Sequence, residues 1–139
     1  MRVFLDTNVV LDLLLGREPF ADDAARIWTL SEEGKVVGLV SAVSFTTIYY
    51  MTRQRQPHQR AIAALKVLRD VFNPVACDAT ILNRAIDSDF KDFEDAVQHF
   101  SALAAGAEVI VTRNPSDFAA AEILVMAPAE FLARHWPAQ

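Results

Sequence analysis

At 139 residues the chain has the length of one domain, able to bury about two-thirds of its unfolded surface without disulfide or metal staples. Its 53% hydrophobic content excludes disorder, its single cysteine, Cys77, excludes an intrachain disulfide, and a net charge of −5 argues against a nonspecific nucleic-acid coat. No uninterrupted apolar stretch approaches the ~18 residues of a membrane span, and Asp6 interrupts the N-terminal run, so the expected location is the cytoplasm, with no membrane partner.

The chain opens on Val3-Phe4-Leu5-Asp6-Thr7-Asn8, a short apolar run that stops at a carboxylate. This pattern predicts a buried strand delivering Asp6 to its C-terminal end, then a helix over residues 9–15 capped by Asn8 and ended by Gly16. In an open α/β sheet ligands sit beyond the carboxyl ends of the strands, which makes Asp6 a site candidate; the alternative is an acid that only complements a helix dipole. Pro19 is expected to open a second helix reaching about Glu33, with Phe20, Ala24, Ile27 and Trp28 on its buried face.

Residues 35–41 read as a continuous apolar strand, and Phe45, Ile48, Tyr49 and Thr52 mark a helix that ends before Gln56-Pro57. Pro57 opens the next helix, which Asn73-Pro74 stops; residues 75–77 form a third strand in which Cys77 packs as a small apolar residue, the alternative being a reactive thiol. Asp78 caps a helix through Ile86, an acidic turn follows, and a helix over residues 93–105 is closed by Gly106, with Phe93, Ala96, Val97, Phe100 and Ala104 as its buried stripe. Residues 108–112 and 123–126 are the last two strands, and Pro128 starts a terminal helix to about His135. Strands and helices alternate without hairpin signals or repeats. The expected fold is therefore α/β, one domain over residues 1–139, with a parallel sheet of four to five strands flanked by helices on both faces.

Charge is unevenly spread. No acid occurs between Glu33 and Asp70, an interval holding Lys35, Arg53, Arg55, Arg60, Lys66 and Arg69, whereas Asp87, Asp89, Asp92, Glu94 and Asp95 crowd together. One or two acids suit a helix first turn, but five so close raise one another's pKa unless a cation intervenes; the alternative is a solvated acidic turn. At helical spacing Asp92, Asp95 and His99 share one flank while Glu94 and Gln98 share the other. A further acid, Asp117, follows the fourth strand in a turn with Asn114. Strand ends in a parallel sheet can converge, so Asp6, Asp95 and Asp117 could meet. Three carboxylates with an amide suit Mg²⁺ or Mn²⁺ with retained waters better than zinc, and such a site suits phosphodiester chemistry. Arg53, Arg55, His58 and Arg60 could then contact a nucleic-acid backbone, or be the solvated end of a helical arm; Arg113 is a further cation beside the site.

Three segments in order, Phe4-Leu5-Asp6-Thr7-Asn8, Phe93-Glu94-Asp95-Ala96 and Val111-Thr112-Arg113-Asn114-Pro115-Ser116-Asp117-Phe118, resemble the PIN domain, a nuclease superfamily that includes toxins of many toxin–antitoxin pairs. The closing Pro128-Ala129-Glu130-Phe131-Leu132 resembles its last helix. The resemblance implies a Mg²⁺- or Mn²⁺-dependent ribonuclease in which Asp6 and Asp95 are the metal-ligating acids, Asn8 supports the first, and Thr112 and Asn114 border the site. It further implies an RNA substrate, an antitoxin partner and a homodimer. Two positions depart from the family pattern. Asn114 stands where an acid is usual, so Asp117 supplies that charge, and the helix after the second strand has no Glu, only Ser44, Thr46 and Thr47, with Glu94 as the possible substitute. The competing expectation is a PIN-like fold that lost its acids and serves as a protein-binding or RNA-binding module. A phosphatase using Asp6 as nucleophile would want a second acid where the chain has Asn8.

Overall fold

The apolar runs Val3-Phe4-Leu5 and Val109-Ile110-Val111 offer no polar face, so each strand must be covered on both sides. The computed structural model describes residues 1–137 and shows how this is done. Strands β1 (Arg2–Leu5), β2 (Val37–Ser41), β3 (Asn73–Val75), β4 (Val109–Val111) and β5 (Leu124–Met126) form one parallel sheet in the order β3-β2-β1-β4-β5. The helices are α1 (Thr7–Leu14), α2 (Ala21–Glu32), α3 (Ala42–Arg53), α4 (His58–Val71), α5 (Ala79–Ile86), α6 (Phe93–Ala104) and α7 (Pro128–His135), with a 3₁₀ turn at Pro115–Phe118.

Side chains alternate across the sheet. Val3, Leu5, Val40, Val109, Val111 and Met126 face a core closed by α1, α2, α3, α4 and α7, whereas Phe4, Leu39 and Ile110 face the side where α6 supplies Ala102. Helix α5 packs onto the outside of α6 through Ile81 and Ala85. Strand β1 is central, and the chain turns from its β2 side to its β4 side only after β3. The order thus reverses between β1 and β4, which places a ligand crevice beyond their carboxyl ends.

Gly38 in β2 has a packing reason. A β-carbon there would run into the Phe72 ring and the Ser31 hydroxyl, and Phe72 is buried edge-on to Trp28 with ring centroids 5.0 Å apart, so it has no room to swing away. Gly38→Ala should lower stability by roughly 1–3 kcal/mol, read as a lower urea midpoint at unchanged slope.

Several local expectations are corrected. Helix α1 begins at Thr7 with Asp6 as its N-cap, so Asn8 lies inside the first turn instead of capping it. Helix α2 starts at Ala21, and Phe20 is 36% exposed because a turn closed by the Phe20 amide on the Arg17 carbonyl intervenes. The third strand is residues Asn73–Val75, two positions earlier than its sequence pattern suggests: β3 is an edge strand, where a proline without an N–H is tolerated. Helix α6 does not bury one stripe. Its middle, Ala96 to Ala102, is buried nearly all round between sheet and α5, while Phe93 at its overhanging first turn is 52% exposed and Ala104 is exposed. Among the described residues no helix is long and apolar enough to cross a membrane.

Candidate metal centre

Strand β1 carries Asp6 to the sheet's carboxyl edge, where its amide donates to the Val111 carbonyl at 2.9 Å and so ties it to β4. Its carboxylate is only 7% exposed and is fully engaged. Oδ1 accepts from the Thr7 amide at 2.8 Å and from Gln98 Nε2 at 3.1 Å, and Oδ2 accepts from the Thr112 hydroxyl at 2.8 Å. Gln98 Nε2 also reaches Thr7 Oγ1 at 2.9 Å and Ser44 Oγ at 3.2 Å, and these two hydroxyls lie 2.7 Å apart. Burial raises the Asp6 pKa above the usual carboxylate range, against the bonds from Thr112, Gln98 and Thr7, and the Asp117 charge adds to the rise.

A cleft of about 390 Å³ adjoins this network, lined by Asp89, Asp92 and Asp95 on one wall and Ser116 and Asp117 on the other, with Lys91 at its side. Asp92 caps α6, accepting from the Asp95 amide at 3.0 Å, which turns Asp95 into the cleft mouth. Burial, then the charges of Asp6, Asp92, Asp117 and Glu94, push the Asp95 carboxyl up to about 7. Asp6, Asp95 and Asp117 are therefore brought within electrostatic reach of one another. Glu94 is turned into a neighbouring pocket with Ser44 and Thr47, yet burial and the charges of Asp6 and Asp92 raise its pKa too.

The donor set is entirely oxygen, which suits a hard divalent ion. Among the described residues no three carboxylate, imidazole or thiol groups enclose a point by themselves. The acids approach from β1, α6 and the 3₁₀ turn, so a hard ion placed among them would have to keep part of its water shell, as Mg²⁺ and Mn²⁺ do. Asn114 is exposed, its amide donating to Thr112 Oγ1 at 3.2 Å, and Asn8 Oδ1 accepts from the Arg113 amide at 3.4 Å. Asn8 thus holds the loop after β4 against α1, while the Asn114 bond tightens the loop on itself.

Other residues fall elsewhere. Arg113 spends its charge internally: Nη2 pairs with the buried Asp12 at 2.9 Å and the guanidinium lies 4.3 Å from the Phe20 ring centre, so it is a loop clamp and not a free cation for nucleic acid. His99 is fully buried away from Asp92 and Asp95, accepting the Glu122 amide at 3.0 Å on Nε2 and stacking on Phe90; burial lowers its pKa and keeps it neutral. Arg53, Arg55 and Arg60 are exposed around the turn between α3 and α4, and none lines the acidic cleft. Burial and then the Asp78 charge raise the Cys77 thiol pKa, the reverse of what a nucleophile needs. Gln98 and Thr7 escape sequence reasoning altogether: an amide on an apolar helix and a threonine beside an acid give no local sign of meeting.

A family model described as PIN domain matches residues 2–116. Ribonuclease VapC1 of Aquifex aeolicus (strain VF5) is 25% identical over 138 residues, covering 96% of this chain and 94% of its own length. Among solved structures, a toxin–antitoxin complex from Klebsiella pneumoniae superposes with a TM-score of 0.69 at 23% identity, covering 91% of this chain and 97% of that one. VapC20 of Mycobacterium tuberculosis, described as a sarcin-ricin loop cleaving toxin, gives 0.62 at 19% identity over 78% and 86% of the two chains.

Proposed function

This chain belongs to the PIN domain family, and on that premise we propose that it is a Mg²⁺- or Mn²⁺-dependent ribonuclease, the toxin of a toxin–antitoxin pair. The observation that carries the proposal is that Asp95 and Asp117 line one oxygen-rich cleft at the sheet's switch point while Asp6, at the end of β1, lies within electrostatic reach of both. Similarity to the Aquifex ribonuclease supports the activity, and similarity to the Klebsiella toxin–antitoxin complex supports the partner.

In this reading Asp6, Asp95 and Asp117 hold the ion. When bound, it supplies Lewis acidity at a phosphate oxygen and a nucleophilic water at neutral pH. The chain's own residues prepare the site. Thr112, Gln98 and the Thr7 amide fix both oxygens of Asp6, so no rotamer has to be frozen on binding. Asp95, with a pKa of about 7, carries a proton for part of the time and must release it to become a ligand. Lys91 stands at the cleft, where a phosphate would meet a positive charge. The toxin acts in the cytoplasm, its antitoxin covers the crevice, and exposed apolar side chains on α3 and α4, Tyr50 and Val67, supply a homodimer contact.

A second reading, a binding module without catalysis, is favoured by one observation: α3 presents only the buried Ser44 hydroxyl to the Asp6 network, with no acid. Incubation of the purified chain with single-stranded RNA separates the two. Cleavage in Mn²⁺ that stops on chelation and returns with fresh metal is the expected result; binding without cleavage across divalent ions would support the module.

A further inference from the structure

Beside the acidic cleft, on the other side of the α6 first turn, lies a second pocket of about 260 Å³ that the proposed chemistry leaves unused. Its walls are Val43 and Thr47 of α3, Leu82 of α5, and Phe93 and Val97 of α6. Three of these are unusually bare for apolar residues: Val43 is 45% exposed, Leu82 39% and Phe93 52%. The polar groups reaching it are Glu94, Ser44 and Gln98. The Gln98 amide nitrogen is taken up by Asp6, Thr7 and Ser44, so its Oε1 is oriented as an acceptor, and that atom is buried without a partner. An orphaned buried acceptor is costly unless something donates to it.

The pocket's size and chemistry select its occupant. It is smaller than the roughly 300–1,000 Å³ of sites for drug-sized molecules, about right for a single ring system. An exposed aromatic face suits stacking; Glu94 and the unpartnered Gln98 Oε1 are acceptors, and the Ser44 and Thr47 hydroxyls can turn to accept as well. The start of α6 supplies Asp92 and Asp95 to the cleft and Phe93 and Glu94 to this pocket, and Gln98 donates to Asp6, so the two lie on opposite sides of one helical turn. We propose that this pocket receives one nucleobase of single-stranded RNA adjoining the scissile phosphate, its ring on Phe93 and an N–H-rich edge turned to Glu94 and Gln98. Guanine, whose Watson–Crick edge carries an imino and an amino donor, fits best, and uracil, with one donor between two carbonyls, fits worst. The inference rests on the ribonuclease reading and adds a base preference to it.

Cleavage of short oligonucleotides in Mn²⁺, with guanine, adenine, cytosine, uracil or no base at each position flanking the cut, tests this. The wild-type chain should favour guanine at one position and lose roughly tenfold or more in kcat/KM when that base is absent. Phe93→Ala should erase the difference between guanine and no base, and Glu94→Gln should flatten the preference among bases while keeping the advantage of any base over none. Mn²⁺ titration and circular dichroism verify that Phe93→Ala stays folded and still takes up metal. Cleavage with no preference at any position, or a preference that survives Phe93→Ala, overturns the pocket while the ribonuclease stands. Phe93→Ala that weakens antitoxin binding but leaves base preference intact assigns the pocket to a protein segment and likewise overturns it. No cleavage by the wild-type chain in any divalent ion removes both readings.

Discussion

Asp6→Asn should abolish RNA cleavage while leaving the fold intact. The substitution is nearly isosteric, and every bond to Asp6 has a replacement. An amide oxygen in the Oδ1 position still accepts from Thr7 and Gln98, and an amide nitrogen in the Oδ2 position can donate to Thr112 Oγ1. What disappears is the negative charge, which a buried and desolvated crevice makes the strongest single attraction for a divalent ion. A fall in kcat/KM of about a thousandfold or more is expected, equivalent to about 4 kcal/mol of transition-state stabilisation. The melting temperature should hold or rise, because burial already opposes ionisation of Asp6. Cleavage at an unchanged rate with unchanged metal dependence would remove Asp6 from the mechanism.

Asp95→Asn should also abolish the proposed cleavage, and it should stabilise the metal-free protein above neutral pH. Burial first, then Asp6, Asp92, Asp117 and Glu94, push the folded-state pKa of Asp95 up to about 7 from its ordinary 3.8. Between those values the folded chain keeps a proton that the unfolded chain has released. The contribution of Asp95 is therefore neutral below about pH 4, falls as the pH rises toward 7, and is fully unfavourable above it. Asp95 is partly exposed, so solvent screening leaves on the order of 1 kcal/mol, about 3–5 °C in melting temperature at pH 8. The gain should vanish near pH 4 and shrink when Mn²⁺ is added to the wild-type chain. A variant less stable than wild type at pH 8 would show that Asp95 is held by favourable contacts and not by repulsion.

The placement of Asp6 at the end of β1 and of Asp95 in the first turn of α6, and the order of strands and helices around them, were readable from the sequence because each depends on a local pattern: an unbroken apolar run for the strands and a 3.6-residue period for the helices. The rest depends on residues far apart in the chain. Gln98 meets Asp6 across 92 residues and Ser44 across 54, and nothing in the spacing of an amide within an apolar helix marks that meeting. Arg113 reads as a free cation until the buried Asp12 on α1 is placed beside it. Phe93 fits a buried stripe if α6 lies flat on the sheet, and only the overhang of its first turn exposes the ring. His99 follows the same rule in reverse. Its spacing groups it with Asp92 and Asp95, but burial of the whole middle of α6 gives it to Phe90 and the Glu122 amide. Asn73-Pro74 reads as a helix stop lying before the third strand, and not as part of it, because sequence alone does not say which strand lies at an edge.

The central claim is that Asp6 and Asp95 share one divalent ion, and calorimetric titration of the metal-free chain with Mn²⁺ near pH 7 tests it without any substrate. A saturable heat is expected in the wild-type chain, its size changing with the ionisation enthalpy of the buffer because Asp95 gives up its proton as the ion enters. The heat should be lost in both Asp6→Asn and Asp95→Asn. A silent titration of the wild-type chain, or the same saturable heat in the Asp6→Asn variant, would contradict it.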